Sequence, residues 1–255
     1  MATEYTSREL MVTTAANEIR DDECAFVGMR LPLLAYQVAV STHAPNSVAV
    51  FENGTVRDAP SDELIYTMGD LAHLDRSVST TNMIDVMSRL QRGDVDIGFI
   101  GGAEIDRYGN LNTTRVRAGD RTIRLPGSGG ACDISVLSDR TVIIMPHEPR
   151  RFVEEVTYRT SPGHGTGGDW RAAEGLRGGG PDALITTKGV FRFENGELTL
   201  SSVHPGVSVD EIHESIPWEL RTAADGDEEI ETTPEPTPTE LEYVREFDPD
   251  GFWTE

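Results

Sequence analysis

The sequence of 255 residues has only two cysteines, Cys24 and Cys132, and a single lysine, Lys188. Two cysteines are too few for a disulfide framework, which favours a reducing compartment, the cytoplasm. No uninterrupted apolar run approaches the roughly 20 residues that a membrane-spanning helix requires. The first ten residues, MATEYTSREL, lack the charged-then-apolar pattern of a secretory signal peptide. We therefore expect neither a secreted, disulfide-rich protein nor an integral membrane protein.

Positive charge is also scarce, because 44 acidic residues stand against 22 basic ones and the net charge is −22. Residues 222–255 hold twelve acids and one arginine, a charge of −11, so residues 1–221 carry the other −11. Such a surface repels nucleic acids and anionic membranes, and neither is expected as a partner. An acidic, lysine-poor composition is typical of cytoplasmic proteins from salt-accumulating cells. The alternative is an acidic protein from a GC-rich genome, which also favours arginine.

Short apolar segments alternate with helical patterns over the first 145 residues. The apolar segments do not alternate with polar residues, as strands do when one face is solvated, so they predict a mostly parallel sheet covered by helices on both faces. Ligands of such sheets gather at the carboxyl ends of the strands. The predicted strands are 24–28, 47–51, 95–100 and 142–145, and the predicted helices are 7–20, 31–42 and 82–91.

The second half of the chain has a different pattern. Alternating residues flank Asn195-Gly196, which predicts a β-hairpin. Ser208 and Glu211 form a capping box that opens a short helix. Acids and prolines follow Arg221, so we expect one main domain over 1–221 and a flexible acidic tail over 222–255. Within that tail, the terminal stretch LEYVREFDPDGFW is a candidate for docking back onto the domain.

Three segments place small residues or carboxylates where a parallel sheet binds ligands. Glu52-Asn53-Gly54 follows the second predicted strand, and Gly101-Gly102-Ala103-Glu104 follows the third. The third segment is PGSGGACD, residues 126–133.

Together these segments resemble the beta subunit of family I CoA-transferases, on the branch of the glutaconate CoA-transferase B subunits. The resemblance covers roughly residues 5–220 in order and implies a CoA-transferase (NagB–RpiA-like) fold. It also implies a separate alpha subunit in a heterotetramer or larger assembly, no activity for this chain alone, and CoA as a substrate with no permanently bound cofactor. The matching stretches are FVGMRLPLLA, THAPN, FENG, DVMSRLQRGDVDIGFIGGAEIDRYGNLN, RLPGSGGACDI, RRFVEEVTYRTSPG, GGGPDALITTKGVFRF and VHPGVSVDEI.

Glu52 is the candidate nucleophile. Exchange of a thioester between two acids is nearly thermoneutral, so it needs neither ATP nor a metal, but the acyl group must be kept from water. A glutamate, whose pKa is about 4.3, is ionised near neutral pH and can carry the acyl group covalently without a helper base. The alternative is that ENG is only a turn signal, as in Glu194-Asn195-Gly196. SVAVF does not alternate, however, and RDAP at 57–60 is expected to end any strand that returns after the first ENG.

Glycine-rich segments supply the other candidate site residues. Backbone N–H groups of a glycine-rich loop can stabilise the oxyanion formed at each attack, because glycine allows close approach. The alternative for PGSGG is a tight structural turn. The predicted oxyanion residues are Gly127, Gly129 and Gly130, and the predicted substrate or CoA pocket contains Gly101, Gly102, Ala103, Asn110, Arg115 and Arg117.

Five arginines and one acid, Asp120, lie within residues 107–124. In a chain this acidic, such a positive segment favours an anion, and arginine binds phosphate well. Some of these arginines could hold the phosphates of CoA, or they could pair with acids of the partner subunit. Both interpretations stay open. The five are Arg107, Arg115, Arg117, Arg121 and Arg124.

Other signals are weaker. The six histidines show no metal-ligand spacing, so no metal site is predicted. GHGTGG at 163–168 formally fits a dinucleotide motif but lies late in the chain without the required strand and acid, so a mobile loop near the pocket is favoured. Cys132 is interpreted as a small packing residue rather than a nucleophile.

Two rival functions remain. Some relatives hydrolyse CoA thioesters or open the rings of cyclic oxo-acyl-CoAs, and they tend to lack the nucleophilic carboxylate, which Glu52 supplies here. Relatives commonly carry an amide at the position of Glu104. A non-catalytic acyl-CoA-binding subunit is the second rival, against which Glu52 and the PGSGG loop both argue.

Overall fold

The structure is a computed structural model that describes residues 4–223 and 229–255. The chain divides into two compact units, Met1–Phe99 with Glu235–Glu255, and Ile100–Pro234. The predicted fold class is confirmed, since the chain is α/β with a largely parallel sheet flanked by helices.

The first unit contains four helices and five strands. The helices are α1 (Ser7–Ala16), α2 (Leu31–Ser41), α3 (Met83–Arg92) and α7 (Pro238–Phe247), and the strands are β1 (Cys24–Phe26), β2 (Val48–Val50), β3 (Thr55–Arg57), β4 (Ser77–Thr80) and β5 (Ile97–Ile100). The strands lie in the order β5-β1-β2-β3-β4. Strand β1 runs parallel to both β5 and β2, whereas β3 and β4 are antiparallel additions at the edge.

Local sequence signals account for where these helices begin and end. Thr6 and Glu9 form a reciprocal capping box at the start of α1. The Asn82 side chain accepts hydrogen bonds from the first turn of α3, and Gly93 ends that helix in the left-handed conformation, with φ 82°. Helix α1 is shorter than predicted: it ends at Ala16, whereas the sequence predicts a helix to residue 20.

The acidic carboxyl-terminal segment is folded over residues 229–255, so the prediction of a flexible segment is wrong there. Helix α7 packs against α1 and α2 and buries Leu241, Val244 and Phe247. Arg245 Nε lies 2.7 Å from Glu9 Oε1, which ties the helix to α1. Docking of the terminal stretch is thus confirmed. The domain boundary at residue 221 stays a prediction, and residues 224–228 of the expected flexible segment lie outside the described residues.

The second unit contains the remaining elements. The helices are α4 (Ala131–Leu137), α5 (Trp170–Ala173) and α6 (Val209–His213), and the strands are β6 (Glu104–Ile105), β7 (Leu111–Asn112), β8 (Arg115–Ala118), β9 (Arg121–Arg124), β10 (Arg140–Ile144), β11 (Pro181–Ile185), β12 (Gly189–Glu194), β13 (Glu197–Val203), β14 (Arg221–Thr222) and β15 (Glu231–Thr232). Five of these strands lie in the order β14-β13-β12-β11-β10. Strands β10 and β11 are parallel, and the predicted hairpin at Asn195-Gly196 joins the antiparallel strands β12 and β13. The predicted Ser208 capping box opens α6.

Candidate functional site

Glu52 lies in a tight turn that closes a β-hairpin in the first unit. Gly54 N donates to Phe51 O at 2.9 Å, and Phe51 N donates to Thr55 O at 3.0 Å. Strand β3 then returns antiparallel to β2. It ends at Arg57, the first residue of RDAP, where the sequence predicts the end of any returning strand. Among these turn residues only Gly54 has a positive φ, 101°, so the turn is of the three-residue kind with a terminal glycine bulge.

Two neighbours of Glu52 hold the turn in place. Asn53 Nδ2 donates to Met68 O at 2.7 Å, and Asn53 Oδ1 accepts from Thr55 N at 2.9 Å. Thr81 N donates to Gly54 O at 2.8 Å. A Cβ at Gly54 would lie 2.4 Å from Thr81 O, so only glycine fits at this position. The turn is anchored on both sides of the carboxylate.

The Glu52 carboxylate itself is unengaged. The side chain is half-buried, and no residue in 4–223 or 229–255 donates a hydrogen bond to it or forms an ion pair with it. The Asn53 side chain and the Gly54 backbone form hydrogen bonds within the protein, whereas neither carboxylate oxygen of Glu52 has a partner among the described residues. A half-buried carboxylate on a fixed turn is a suitable nucleophile.

A buried polar pair that the sequence did not reveal lies behind this turn. The Phe51 ring packs edge-on against His73, with ring centroids 4.6 Å apart. Burial, followed by the nearby Arg57 charge, lowers the pKa of His73 to about 4, so the ring is neutral. Arg57 Nη1 donates to His73 O at 3.0 Å, from a side chain that is 1% exposed. An arginine on a short strand gives no sequence signal that it will be buried.

In the second unit, the segment after β5 packs tightly against β7. A Cβ at Gly102 would lie 2.8 Å from Leu111 Cδ2 and 3.1 Å from Glu104 O, so a larger residue would force the Leu111 side chain to shift. Arg151 Nη1 donates to Gly102 O at 2.8 Å, and Ala103 N donates to Asn112 O at 2.9 Å. Gly101, next to them, is exposed.

Glu104 anchors this segment. Its buried carboxylate accepts from Asn112 Nδ2 at 2.7 Å, from Thr157 N at 2.8 Å and from Thr157 Oγ1 at 2.9 Å. Three donors satisfy the charge inside the protein, so Glu104 joins β6, β7 and the 157 loop. Thr157 was missed by sequence reasoning, because its role depends on a contact 53 residues away in the chain.

Asn110, a predicted pocket residue, is fully buried. Its amide nitrogen donates to Asp106 Oδ2 at 2.8 Å and to Gly165 O at 2.8 Å, and its oxygen accepts from Gly163 N at 3.0 Å. Burial raises the pKa of Asp106, although the hydrogen bonds from Asn110 and Tyr108 oppose the rise. The amide of Asn110 has no polar atom left for a ligand, and this geometry supports a structural role.

The glycines of GHGTGG are explained by packing. A Cβ at Gly163 would lie 2.3 Å from Tyr108 O, and one at Gly165 would lie 1.9 Å from Trp170 Cδ2. His164 N also donates to Tyr108 O at 2.7 Å. The loop is thus held against the 106–110 turn rather than shaped around a nucleotide.

The PGSGG loop leads directly into α4. Gly127 and Gly129 have φ values of 100° and 49°, and a Cβ at either would meet no atom within 4 Å. Gly127 N donates to Thr113 O at 2.8 Å, so Gly127 shapes the turn and does not offer a free donor. The N–H groups of Gly129 and Gly130 have no acceptor among the described residues. Burial raises the pKa of Cys132, which supports its interpretation as a packing residue.

The predicted arginine segment separates into two parts. Arg115, Arg117, Arg121 and Arg124 all lie on the exposed hairpin β8–β9. Arg107 instead lies between β6 and β7, where its Nη2 pairs with Glu154 Oε2 at 3.1 Å.

The predicted site residues of the second unit lie in its loops and in the β8–β9 hairpin, whereas Glu52 lies in the first unit. In the described part of the chain, no group of three histidine, cysteine or acidic side chains could hold a metal ion. No helix of the described residues is long and apolar enough to cross a bilayer.

Comparison with known proteins decides the family. A family model described as Coenzyme A transferase matches residues 8–215. The chain belongs to the coenzyme A transferase family. It is 37% identical over 245 residues to the B subunit of 3-oxoadipate CoA-transferase from Pseudomonas knackmussii, covering 94% of this chain and 92% of that relative.

The CoA-transferase assignment extends to the glutaconate branch. The chain is 33% identical over 255 residues to the B subunit of glutaconate CoA-transferase from Acidaminococcus fermentans, covering 96% of this chain and 92% of that relative. The crystal structure of glutaconate coenzyme A-transferase from that organism superposes with a TM-score of 0.89 at 30% identity, over 99% of this chain and 98% of the other. The expected resemblance to a family I beta subunit is therefore confirmed, and CoA is a substrate of this family.

Proposed function

We propose that this chain is the subunit of a heteromeric CoA-transferase that provides the nucleophile, Glu52. The observation that carries the proposal is an unengaged, half-buried carboxylate on a turn that the Asn53 side chain and the Gly54 backbone hold in place. Family membership supplies the reaction class, the exchange of CoA between an acyl-CoA and a carboxylic acid.

The chemistry proceeds through two covalent forms of Glu52. A carboxylate oxygen attacks the thioester carbonyl of the donor, the C–S bond breaks, and an acyl-glutamyl anhydride and CoA thiolate result. The thiolate attacks the glutamyl carbonyl, which leaves a glutamyl-CoA thioester and releases the donor acid. The acceptor carboxylate then reverses both steps, so no net proton or water is consumed. The kinetics are ping-pong.

Each attack places negative charge on a carbonyl oxygen. The free N–H groups of Gly129 and Gly130 are the proposed donors to that oxyanion, and the loss of one such donor typically costs about 10²–10³ in rate. Gly127 supports the loop through its hydrogen bond to Thr113. Gly101, Gly102 and Ala103 are proposed to line the acyl or CoA pocket after β5.

Assembly and substrate follow from the relatives. Both relatives are named as the B subunit of their enzyme, which supports an alpha subunit as the obligate partner, in a heterotetramer or larger complex. Both are also named for dicarboxylic acids, so glutaconate and 3-oxoadipate are the first acceptors to test. The acidic, lysine-poor composition supports a cytoplasmic protein of a salt-accumulating cell, and assays belong in high salt.

The test is covalent trapping in the assembled enzyme. The chain is co-expressed with its alpha subunit and incubated with acyl-CoA without acceptor, and the adduct is trapped with hydroxylamine or borohydride. Mass spectrometry should find the modification on Glu52, and a Glu52→Gln variant should show none. Glu194→Gln is the matched control, because Glu194 is the same residue of the other ENG segment, and its labelling should equal that of the wild type.

The rival functions predict different products. A hydrolase would release free CoA and free acid without an acceptor, and a non-catalytic acyl-CoA-binding protein would give no turnover. An active transferase whose residue 52 is never labelled would overturn the proposal.

A further inference from the structure

Strands β8 and β9 form a two-stranded hairpin that belongs to no larger sheet. Every residue from 117 to 124 is exposed, and Ile123 is 49% exposed. A two-stranded hairpin without a covering layer is marginally stable in water. An exposed ribbon of this kind in a folded protein suggests that something binds to it.

The strand register sorts the arginines by face. In the ladder, Arg115 lies directly opposite Arg124, and Arg117 lies opposite Thr122. Because paired residues of an antiparallel ladder share a face, three arginines lie on one side of the ribbon. We call Arg115, Arg117 and Arg124 the basic face. Arg121 pairs with Ala118 and lies on the opposite side.

No acid of the described residues compensates the basic face. None of its arginines forms an ion pair with residues 4–223 or 229–255, although the chain carries 44 acids. Arg115 instead lies over the Tyr158 ring, 4.9 Å from its centroid. Like charges placed directly opposite each other destabilise a ladder, and Arg115 and Arg124 are such a pair. The basic face therefore leaves three guanidinium groups available to an anion from outside the described chain.

The base of the hairpin continues into the PGSGG loop. Leu125 N donates to Thr114 O at 2.9 Å, and Gly127 N donates to Thr113 O at 2.8 Å. Asn112 Nδ2, which also binds Glu104, donates to Arg115 O at 2.7 Å. The basic face and the proposed oxyanion loop thus belong to one hydrogen-bonded structure. Arg124 lies five residues before Gly129, a span of no more than about 18 Å.

We propose that the basic face binds the phosphate groups of CoA, and above all its 3′-phosphate. This inference rests on the proposed function. A phosphate monoester carries close to two negative charges near neutral pH, because its second pKa is about 6. The planar guanidinium of arginine binds phosphate oxygens in pairs, which lysine cannot do. The reach from the basic face to the glycine loop suits a ligand whose phosphates and thioester are separated by the flexible pantetheine arm.

The experiment compares an acyl-CoA with the same acyl-3′-dephospho-CoA in the assembled enzyme. The wild type should show a KM about ten-fold or more higher for the dephospho substrate, since a lost charge-assisted contact costs about that factor. Arg115→Gln, Arg117→Gln and Arg124→Gln should each raise the KM for acyl-CoA several-fold with little change in kcat. The triple variant should no longer distinguish the two substrates. Arg→Lys variants should recover part of the affinity.

Arg121→Gln is the matched control, because it removes the same charge from the opposite side of the same hairpin, and its KM should equal that of the wild type. Far-ultraviolet circular dichroism checks that each variant folds. Equal KM values for the two substrates in the wild type would overturn the inference. So would variants that lose the alpha subunit on purification but keep KM, because the basic face would then contact acids of the partner. In either case, labelling of Glu52 would still support the proposed function.

Discussion

The chain contains the segment Glu-Asn-Gly twice, and the two copies close different hairpins. In the second copy Asn195 and Gly196 both adopt positive φ, 52° and 78°, and form the two-residue loop between β12 and β13. In the first copy only Gly54 does. The same three letters thus encode turns of different length.

This difference places the two glutamates in different environments. Glu194 is the last residue of β12, exposed and paired across the ladder with Glu197. Glu52 lies inside its turn, half-buried, beside an asparagine whose side chain is bound to Met68. A local motif therefore carries no function by itself, and the position of the carboxylate relative to the turn distinguishes the two copies.

The largest expected effect is a difference in kcat between variants of the two ENG glutamates, Glu52 and Glu194. Glu52→Gln should reduce kcat by at least about 10³-fold, because the covalent route is removed, whereas Glu194→Gln should stay within about two-fold of the wild type. Glu52→Asp should also lose most turnover, since a displacement of about 1 Å can cost about 10²-fold. Steady-state assays of the assembled enzyme measure all three. Comparable losses of kcat in Glu52→Gln and Glu194→Gln would contradict the assignment of Glu52 alone as the nucleophile.

The next largest effect is a difference in folding stability between alanine variants of the two ENG glycines, Gly54 and Gly196. Gly54→Ala must move the backbone at Thr81, because its Cβ would lie 2.4 Å from a carbonyl oxygen, and it should cost about 2–4 kcal/mol. The Cβ of Gly196→Ala would lie 3.0 Å from His164 Cβ and 3.3 Å from the backbone of Gly167 and Gly168. Shifts of a few tenths of an ångström relieve these contacts, so the cost should stay near the roughly 1–2 kcal/mol of a left-handed alanine. Urea unfolding of the two variants compares them. Equal midpoints would show that the first turn can shift.

The smallest effect concerns pH. The aromatic residue before each ENG glutamate packs on a histidine, Phe51 on the buried His73 and Phe193 on the half-buried His164. Burial lowers the pKa of both histidines, that of His73 to about 4. The hydrogen bond between His164 Nε2 and Pro181 O opposes the shift in His164, whereas no described residue bonds the His73 ring nitrogens.

The direction follows from proton linkage. As the pH falls below the ordinary histidine value of about 6.5, the unfolded chain takes up a proton at residue 73 that the folded chain refuses until about pH 4. Stability at this site is therefore lost across that window, by about 2 kcal/mol between about pH 7 and pH 5. His73→Phe should flatten the dependence of the urea midpoint on pH more than His164→Gln. A larger effect from His164→Gln would reverse the order.

The carboxyl-terminal segment shows where composition is a poor guide to order. Acids and prolines predict a flexible tail, yet Leu241, Val244 and Phe247 share one face of α7 and are buried in the first unit. A helix this short, with three apolar residues on one face, is not stable alone. Packing against α1 and α2 supplies the stability, and that contact joins residues more than 200 positions apart.

Local information was sufficient for much of the architecture. The apolar strands, the capping boxes, the Gly93 helix end and the Asn195-Gly196 hairpin depend on neighbours a few residues away, so they could be predicted from the sequence. The family motifs also identified the reaction class. Only the tertiary structure revealed the return of β3, the burial of Arg57 and His73, the use of Asn110 and Gly127 inside the protein, and the division of the arginines between the two sides of one hairpin. Those features depend on which distant groups supply hydrogen bonds and exclude water, and a linear pattern does not contain that information.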